Sequence, residues 1–363
     1  MKVLFVSTFY QMFLDEIYAS RPELAEAPYQ QQLQGLMATG FGVSDSLSVA
    51  MRAAGWEAID VISNASQLQR SWAAENGFEV PEVRTWHHDI LEAQVRKFGP
   101  DVIYVLEYNP VGDACLARLK THVPLLVGQI ASNLPPHRTF DAYDLMVSSW
   151  PPIVDHFNRN GGRGVYQPLA FDQRVLARLG DTPPTIDVTF VGGFASCHGD
   201  RLEFLERLCP VVDIEVYGYG ADTLPANSPV LNRHRGLAWG NDMYRILQTS
   251  KITLNLHAQT DVRGCVSRRF ANNMRLYEAT GMGTCLLTEA RDNLHELFKP
   301  EAEVLTYRDF DECVEKISVY LADEDRRRAV AQAGQQRTLR EHTFTQRMAE
   351  LKDAFELAIR RKR

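Results

Sequence analysis

Short apolar runs alternate with helix-forming stretches along this chain, and the alternation breaks once and starts again. Lys2–Ser7 (KVLFVS), Ala58–Ile62, Asp101–Leu106 (DVIYVL), Pro124–Gln129 and Asp144–Ser148 read as buried strands. Between them, Ser44-Asp45-Ser46 caps a helix to about Ala54 that Gly55 ends. His88–Phe98 reads as a helix stopped by Gly99-Pro100, and Asp113–Lys120 as another. Strands buried on both faces, joined by helices, specify a doubly wound parallel sheet. The segment Thr8–Gly42 is long, aromatic and Gln-rich, and reads as an irregular or partly helical insert after the first strand. It either borders a ligand crevice or covers the sheet edge.

Breaker residues cluster in NRNGGRGVYQPLAFDQ and GDTPPTID, which places an interdomain connection between about Pro168 and Thr185. Ile186–Val191 then opens a second strand–helix series, with a helix to about Cys209 and a strand at Asp213–Tyr217. A helix at Asn241–Gln248 and a strand at Lys251–Leu256 follow. Phe310–Leu321 and Glu324–Arg340 are amphipathic helices, and Thr343 with Gln346 forms a capping box for a last helix towards Ile359. The expected division is therefore 1–168, 169–342 and a terminal helix 343–363.

The stretch Arg268–Glu289, RRFANNMRLYEATGMGTCLLTE, reads as loop, short helix, glycine turn and strand. Asn272 or Asn273 suits the cap, Met274–Thr280 the helix, Gly281 the left-handed position that ends it, and Thr284–Thr288 a buried strand. Free N–H groups at the helix start and the cations Arg268, Arg269 and Arg275 make an anion site. Glu278 lies one turn on, placed to accept hydrogen bonds from a sugar hydroxyl.

RLYEATGMGTCLLTE resembles the Glu-Ala-x-x-x-Gly-x-x-x-Leu segment of group 1 glycosyltransferases of the GT-B fold. NLHELF, EVLTYRDFDECVEKISVYL and AGQQRTLREHTFTQR are similar to the spore-maturation-protein (CgeB-like) branch. The resemblance implies two Rossmann-like domains facing across a cleft, with the C-terminal helix crossing back to the first domain. It implies an acceptor-binding first domain and a nucleotide-sugar-binding second one. It implies transfer of a sugar from a nucleotide-diphosphate sugar (UDP or GDP) to a glycan-type or small-molecule acceptor, with no metal and no cofactor beyond that co-substrate. Many group 1 enzymes carry Glu-x7-Glu ending at this glutamate; here the earlier position is Phe270, so half of that motif is missing. A nucleotide-sugar epimerase and a non-catalytic two-lobed binding protein remain alternatives.

Composition narrows the classes. A formal net charge of −7 gives no reason to expect nucleic-acid binding. Six scattered cysteines lack metal-ligand spacing and read as reduced and cytosolic. No stretch approaches the roughly 20 apolar residues of a membrane span, and the N-terminus lacks a signal-peptide pattern. The expected location is cytoplasmic. The tail Arg360-Arg361-Lys362-Arg363 adds weak peripheral contact with the inner face of the membrane as one role, and complementing a helix dipole as the plainer one.

Four further candidates stand at strand ends. Gly193 in Gly192–Arg201, with His198 and Arg201, makes a strand–turn–helix phosphate cradle; a tight turn with a surface arginine is the plainer alternative. Tyr217 ends the next strand on the donor side. His257 follows the strand Ile252–Leu256, where it either touches ligand or is a hydrogen-bonded structural residue. Glu107 follows Asp101–Leu106 as a candidate base, with Asp15, Asp45 and His137 as rivals. The expected catalytic pair is Glu107 and His257; the expected donor set is Gly193, His198, Arg201, Tyr217, Arg269, Asn273, Arg275 and Glu278.

Overall fold

The computed structural model describes residues 1–81, 84–107, 111–135, 138–194, 199–257, 260–262, 265–267 and 269–362. The chain divides into two units: unit 1 is Met1–Pro168 with Phe344–Arg363, and unit 2 is Leu169–Thr343.

Unit 1 runs β1 (Lys2–Ser7), α1 (Gln11–Ser20), α2 (Pro22–Glu26), α3 (Tyr29–Met37), α4 (Ser46–Ala53), β2 (Glu57–Ile62), α5 (Ser66–Glu75) and α6 (Trp86–Phe98). It continues with β3 (Val102–Val105), α7 (Asp113–Lys120), β4 (Leu125–Gln129), β5 (Leu145–Ser148), α8 (Pro151–Arg159) and β6 (Gly164–Tyr166). The sheet is fully parallel in the order β2-β1-β3-β4-β5-β6. The insert after β1 is three helices, and its phenylalanines form one cluster: Phe13 stacks on Phe41 at 4.1 Å, and Phe9 lies 4.9 Å from Phe41. α6 ends at Gly99, whose φ of 54° is a left-handed cap that a side chain would strain.

Unit 2 runs α9 (Arg174–Leu179), β7 (Ile186–Val191), α10 (Gly199–Leu208), β8 (Ile214–Tyr217), α11 (Pro229–Arg233), α12 (Gly240–Thr249) and β9 (Ser250–Asn255). A hairpin of β10 (Thr260–Val262) and β11 (Cys265–Ser267) follows, then α13 (Arg275–Gly281), β12 (Cys285–Glu289), α14 (Leu294–Leu297), β13 (Leu305–Tyr307), α15 (Phe310–Ala322) and α16 (Glu324–Glu341). The five-stranded sheet is parallel, in the order β13-β12-β9-β7-β8. One face packs α10 and α15 through Leu205, Leu208, Cys313 and Ile317. The other packs α12 and α13 through Tyr244, Leu247, Leu276 and Ala279. Asp309 and Asp323 cap α15 and α16, their carboxylates accepting from Glu312 N (2.9 Å) and Arg326 N (3.0 Å).

The last helix, α17 (Phe344–Arg360), belongs to unit 1. Its Phe355 ring lies 6.3 Å from Trp56 and 5.9 Å from Tyr104, and Lys352 Nζ donates to Ala54 O at 3.0 Å. In the tail, Lys362 pairs with Asp144 at 2.6 Å and Arg360 with Glu356 at 3.4 Å. No helix among the described residues is long and apolar enough to cross a membrane.

Three local expectations are corrected. Neither Asn272 nor Asn273 caps α13, whose N-cap position is Met274, which has no side-chain cap bond. Asp45 stands at the N-cap position of α4 without a side-chain cap bond. Gly281 does not end α13 in a left-handed conformation; it is the helix's last residue, and Gly283 carries the positive φ of 79°. Gly281 is required for space instead, since a Cβ there would lie 2.4 Å from the Phe171 ring.

Candidate active site

In unit 2 the chain leaves β7 for β8 on one side and returns to β9 on the other. The switch point therefore lies between the C-terminal ends of β7 and β9, where open α/β sheets bind ligands. Both flanking helices begin at that edge, α10 on one face and α13 on the other.

After β7, Gly193 passes so close to Tyr219 that a Cβ would lie 2.3 Å from its ring. Tyr219 in turn stacks on Trp239 at 6.1 Å with planes 17° apart. Gly193 is thus glycine for a steric reason within the unit. Arg201, in the first turn of α10, donates through Nη1 to Gly193 O at 2.5 Å and through Nη2 to Leu256 O at 2.9 Å. Its guanidinium ties the ends of β7 and β9 together across the switch point. His198 lies outside the described residues, as do Arg268 and His137.

At the end of β9 a buried polar chain runs from Asn273 to His257. Asn273 Nδ2 donates to Asn255 Oδ1 at 2.6 Å, and Asn255 Nδ2 donates to Thr288 Oγ1 at 2.9 Å. Both Asn255 Nδ2 and Thr288 Oγ1 lie 3.3 Å from His257 Nε2. Asn273 therefore acts as a positioning residue for Asn255. With Nε2 accepting from Asn255, the proton resides on Nδ1, which has no hydrogen-bond partner. His257 is 9% exposed, and its pKa is pushed down to about 3 by burial, then by Arg291 and Arg201. It is a neutral imidazole at physiological pH. Below about pH 6.5 the unfolded chain takes up a proton that folded His257 refuses, so stability rises with pH between about 3 and 6.5. His257→Gln is expected to remove one proton's share of that slope, about 1.4 kcal/mol per pH unit. Denaturant unfolding at a series of pH values checks this, and an unchanged slope would place the titration elsewhere.

In the first turn of α13, Arg275 Nη1 lies 2.8 Å from Glu278 Oε2, with side-chain exposures of 12% and 8%. Burial raises the Glu278 pKa and Arg275 opposes it. Arg275 Nε is buried without a hydrogen-bond partner. The two side chains thus form a buried ion pair in which Arg275 Nε is left without an acceptor.

Two other candidates in unit 2 make their side-chain bonds outside this group, although Tyr217 O accepts from Gly192 N at 2.9 Å. Arg269 is exposed and pairs with Asp292 at 2.7 Å. Tyr217 donates its hydroxyl to Glu215 Oε2 at 2.6 Å, and burial and Glu215 hold its pKa above the ordinary value. In unit 1, Glu107 follows β3. The surrounding chain pushes its pKa upward, but the residue is exposed, so solvent limits the effect. A groove of about 680 Å³ in unit 1 runs along the body of α6, where Glu92 is paired with Arg96, Arg118 and His122.

Sequence reasoning missed Glu289 and Arg291. Glu289 ends β12, accepts from His257 N at 2.6 Å and pairs with Arg291 at 2.9 Å. The rule that singled out His257, a polar residue at the end of a buried parallel strand, applies equally to Glu289.

Two parallel-sheet Rossmann-like units define the GT-B fold. Residues 200–353 match a family model described as glycosyl transferase-like. Solved structures share the fold along nearly the whole chain. Anabaena Alr3699/HepE in complex with UDP and glucose is 11% identical, covers 98% of this chain and 100% of its own, and gives a TM-score of 0.61. A glycosyltransferase from Rickettsia africae is 9% identical, with coverage of 99% and 98% and a TM-score of 0.61. Sucrose-phosphate synthase from Thermosynechococcus elongatus is 12% identical, with coverage of 99% and 100% and a TM-score of 0.59. No curated protein matches the chain in sequence.

Proposed function

We propose that the chain is a glycosyltransferase that takes a sugar from a nucleotide-diphosphate sugar held by unit 2. The observation that carries this reading is the buried Arg275 at the strand-end edge, with an N–H lacking an acceptor and a carboxylate beside it. An arginine placed so suits a diphosphate oxygen, and Glu278 suits the hydroxyls of the attached ribose. Arg201 supports the cradle by fixing the loop ends. The glycosyl transferase-like match covers both helices of this site, α10 and α13. Structures that share the fold hold UDP and UDP-glucose, which makes a uridine diphosphate sugar the first donor to test.

Unit 1 is proposed to supply the acceptor side, a glycan-type or small molecule, with Glu107 as its candidate base. The stabilisation of the leaving diphosphate is assigned to Arg275 and the helix ends, without a metal. The closer assignment to the CgeB-like branch rests on NLHELF, EVLTYRDFDECVEKISVYL and AGQQRTLREHTFTQR. Membrane contact through the tail is not part of the reading, since Lys362 and Arg360 are already paired within the chain.

Glu278 gives the sharpest test. Hydrogen bonds to a charged partner contribute roughly 1.5–3 kcal/mol, and about 1.4 kcal/mol is a tenfold effect. Glu278→Ala is therefore expected to weaken nucleotide binding by about one to two orders of magnitude, and Glu278→Gln by less. Calorimetric titration of UDP against its 2′,3′-dideoxy analogue reads the contact directly. Equal affinity of the wild type for both would remove Glu278 from the ribose.

A further inference from the structure

A cavity of about 230 Å³ opens beside α10, on the face of the sheet opposite α13, and of its lining residues the donor reading uses Arg201 alone, as a brace for the loop ends. Drug-sized ligands occupy roughly 300–1,000 Å³, so this space suits one small ring and not a whole nucleotide. Its charges balance: Arg201, Arg207 and Arg291 stand with Asp200, Glu203 and Glu289. An isolated phosphate would meet three carboxylates there, whereas a neutral polyol meets both donors and acceptors.

Two walls are pre-organised. Glu289 receives the His257 N–H on Oε2 and Arg291 on Oε1, so the carboxylate is fixed while each oxygen keeps acceptor capacity. That is the geometry that accepts two neighbouring hydroxyls. Phe204 is held by Tyr307 at 5.7 Å and Phe310 at 5.5 Å, and supplies a flat apolar wall. His257 also lines the cavity and carries the unpartnered Nδ1–H described above.

We propose that this cavity binds a single pyranose ring, with Glu289 accepting from its hydroxyls and Phe204 packing on its C–H face. The inference rests on the sugar-transfer reading, and it places a carboxylate against the sugar in a chain that has Phe270 where the Glu-x7-Glu motif has its first glutamate. The ring belongs either to the donor or to the acceptor, and the two sources are separable.

Calorimetry on the full chain would use UDP, GDP and their glucose, galactose, mannose and N-acetylglucosamine conjugates. Saturation-transfer NMR would use the four methyl glycosides. The variants are Glu289→Gln, which keeps an acceptor for His257 N, and Phe204→Leu, which keeps the apolar volume and does not depend on the ion pair. If the ring is the donor's, one nucleotide sugar binds wild type at least tenfold tighter than its nucleoside diphosphate. Both variants then lose most of that difference while nucleoside diphosphate affinity changes less than twofold. If the ring is the acceptor's, a methyl glycoside gives the signal and the variants abolish it. Unchanged sugar binding in both variants, or no sugar binding by wild type, overturns the proposal. Failure of every nucleoside diphosphate to bind sinks the donor reading instead, and the glycoside signal alone then decides the cavity.

Discussion

Ending the chain after Thr343 is expected to unfold unit 1 and leave unit 2 folded. The removed helix α17 buries Phe344, Met348, Leu351, Phe355 and Ile359, all within unit 1. Each is worth roughly 1.5–3 kcal/mol, and together they match the whole net stability of a domain, about 5–15 kcal/mol. Hydrogen exchange reads the two units separately. Amides of β1 and β3 should lose protection, and those of β7 and β9 should keep it. Phe355→Ala is the graded version, with an expected cost of about 3–5 kcal/mol. Unchanged protection in β1 and β3 after truncation would show that α17 is dispensable to unit 1.

Breaking the Arg275–Glu278 pair carries the other large effect. Removing one member of a buried pair costs about 3–5 kcal/mol, because the other charge stays buried without compensation, whereas replacing both by apolar residues is often neutral. Arg275→Ala should therefore destabilise unit 2 by about that amount. The double variant Arg275→Met with Glu278→Leu should recover most of the stability but not nucleotide binding. Denaturant unfolding and UDP titration on the same samples separate the two roles. If binding returned together with stability, the pair would be a structural element alone.

The fold was legible because its signal is redundant. The apolar runs at 101–106, 124–129, 144–148 and 186–191 are each long enough to mark a buried strand, and the structure places one within each. α5 escaped notice because Ser66–Glu75 is Gln-, Ser- and Ala-rich with a weak apolar stripe, and the three-residue strands β6 and β13 are too short for periodicity. At the site, Gly281 and Gly283 show the limit of reading glycines from spacing alone. Both fit a helix end, and it takes the Phe171 ring beside Gly281 and the positive φ of Gly283 to assign their roles. Arg201 is similar. Its position at a helix start suggested a phosphate donor, but the carbonyls of Gly193 and Leu256, 63 positions apart in sequence, are both within reach of its guanidinium. Pairing across such distances leaves no local pattern.

The central claim is that unit 2 holds a nucleoside diphosphate beside Arg275 and Glu278. A thermal-unfolding titration of the full chain with UDP, GDP and ADP tests it most directly, since a ligand at 100 times its Kd stabilises the native state by about 2.7 kcal/mol. The account predicts a saturable rise in Tm with at least one of the three diphosphates, reduced for the matching monophosphate and absent in Arg275→Met with Glu278→Leu. No rise with any of them at millimolar concentration, or an equal rise in that double variant, would contradict it.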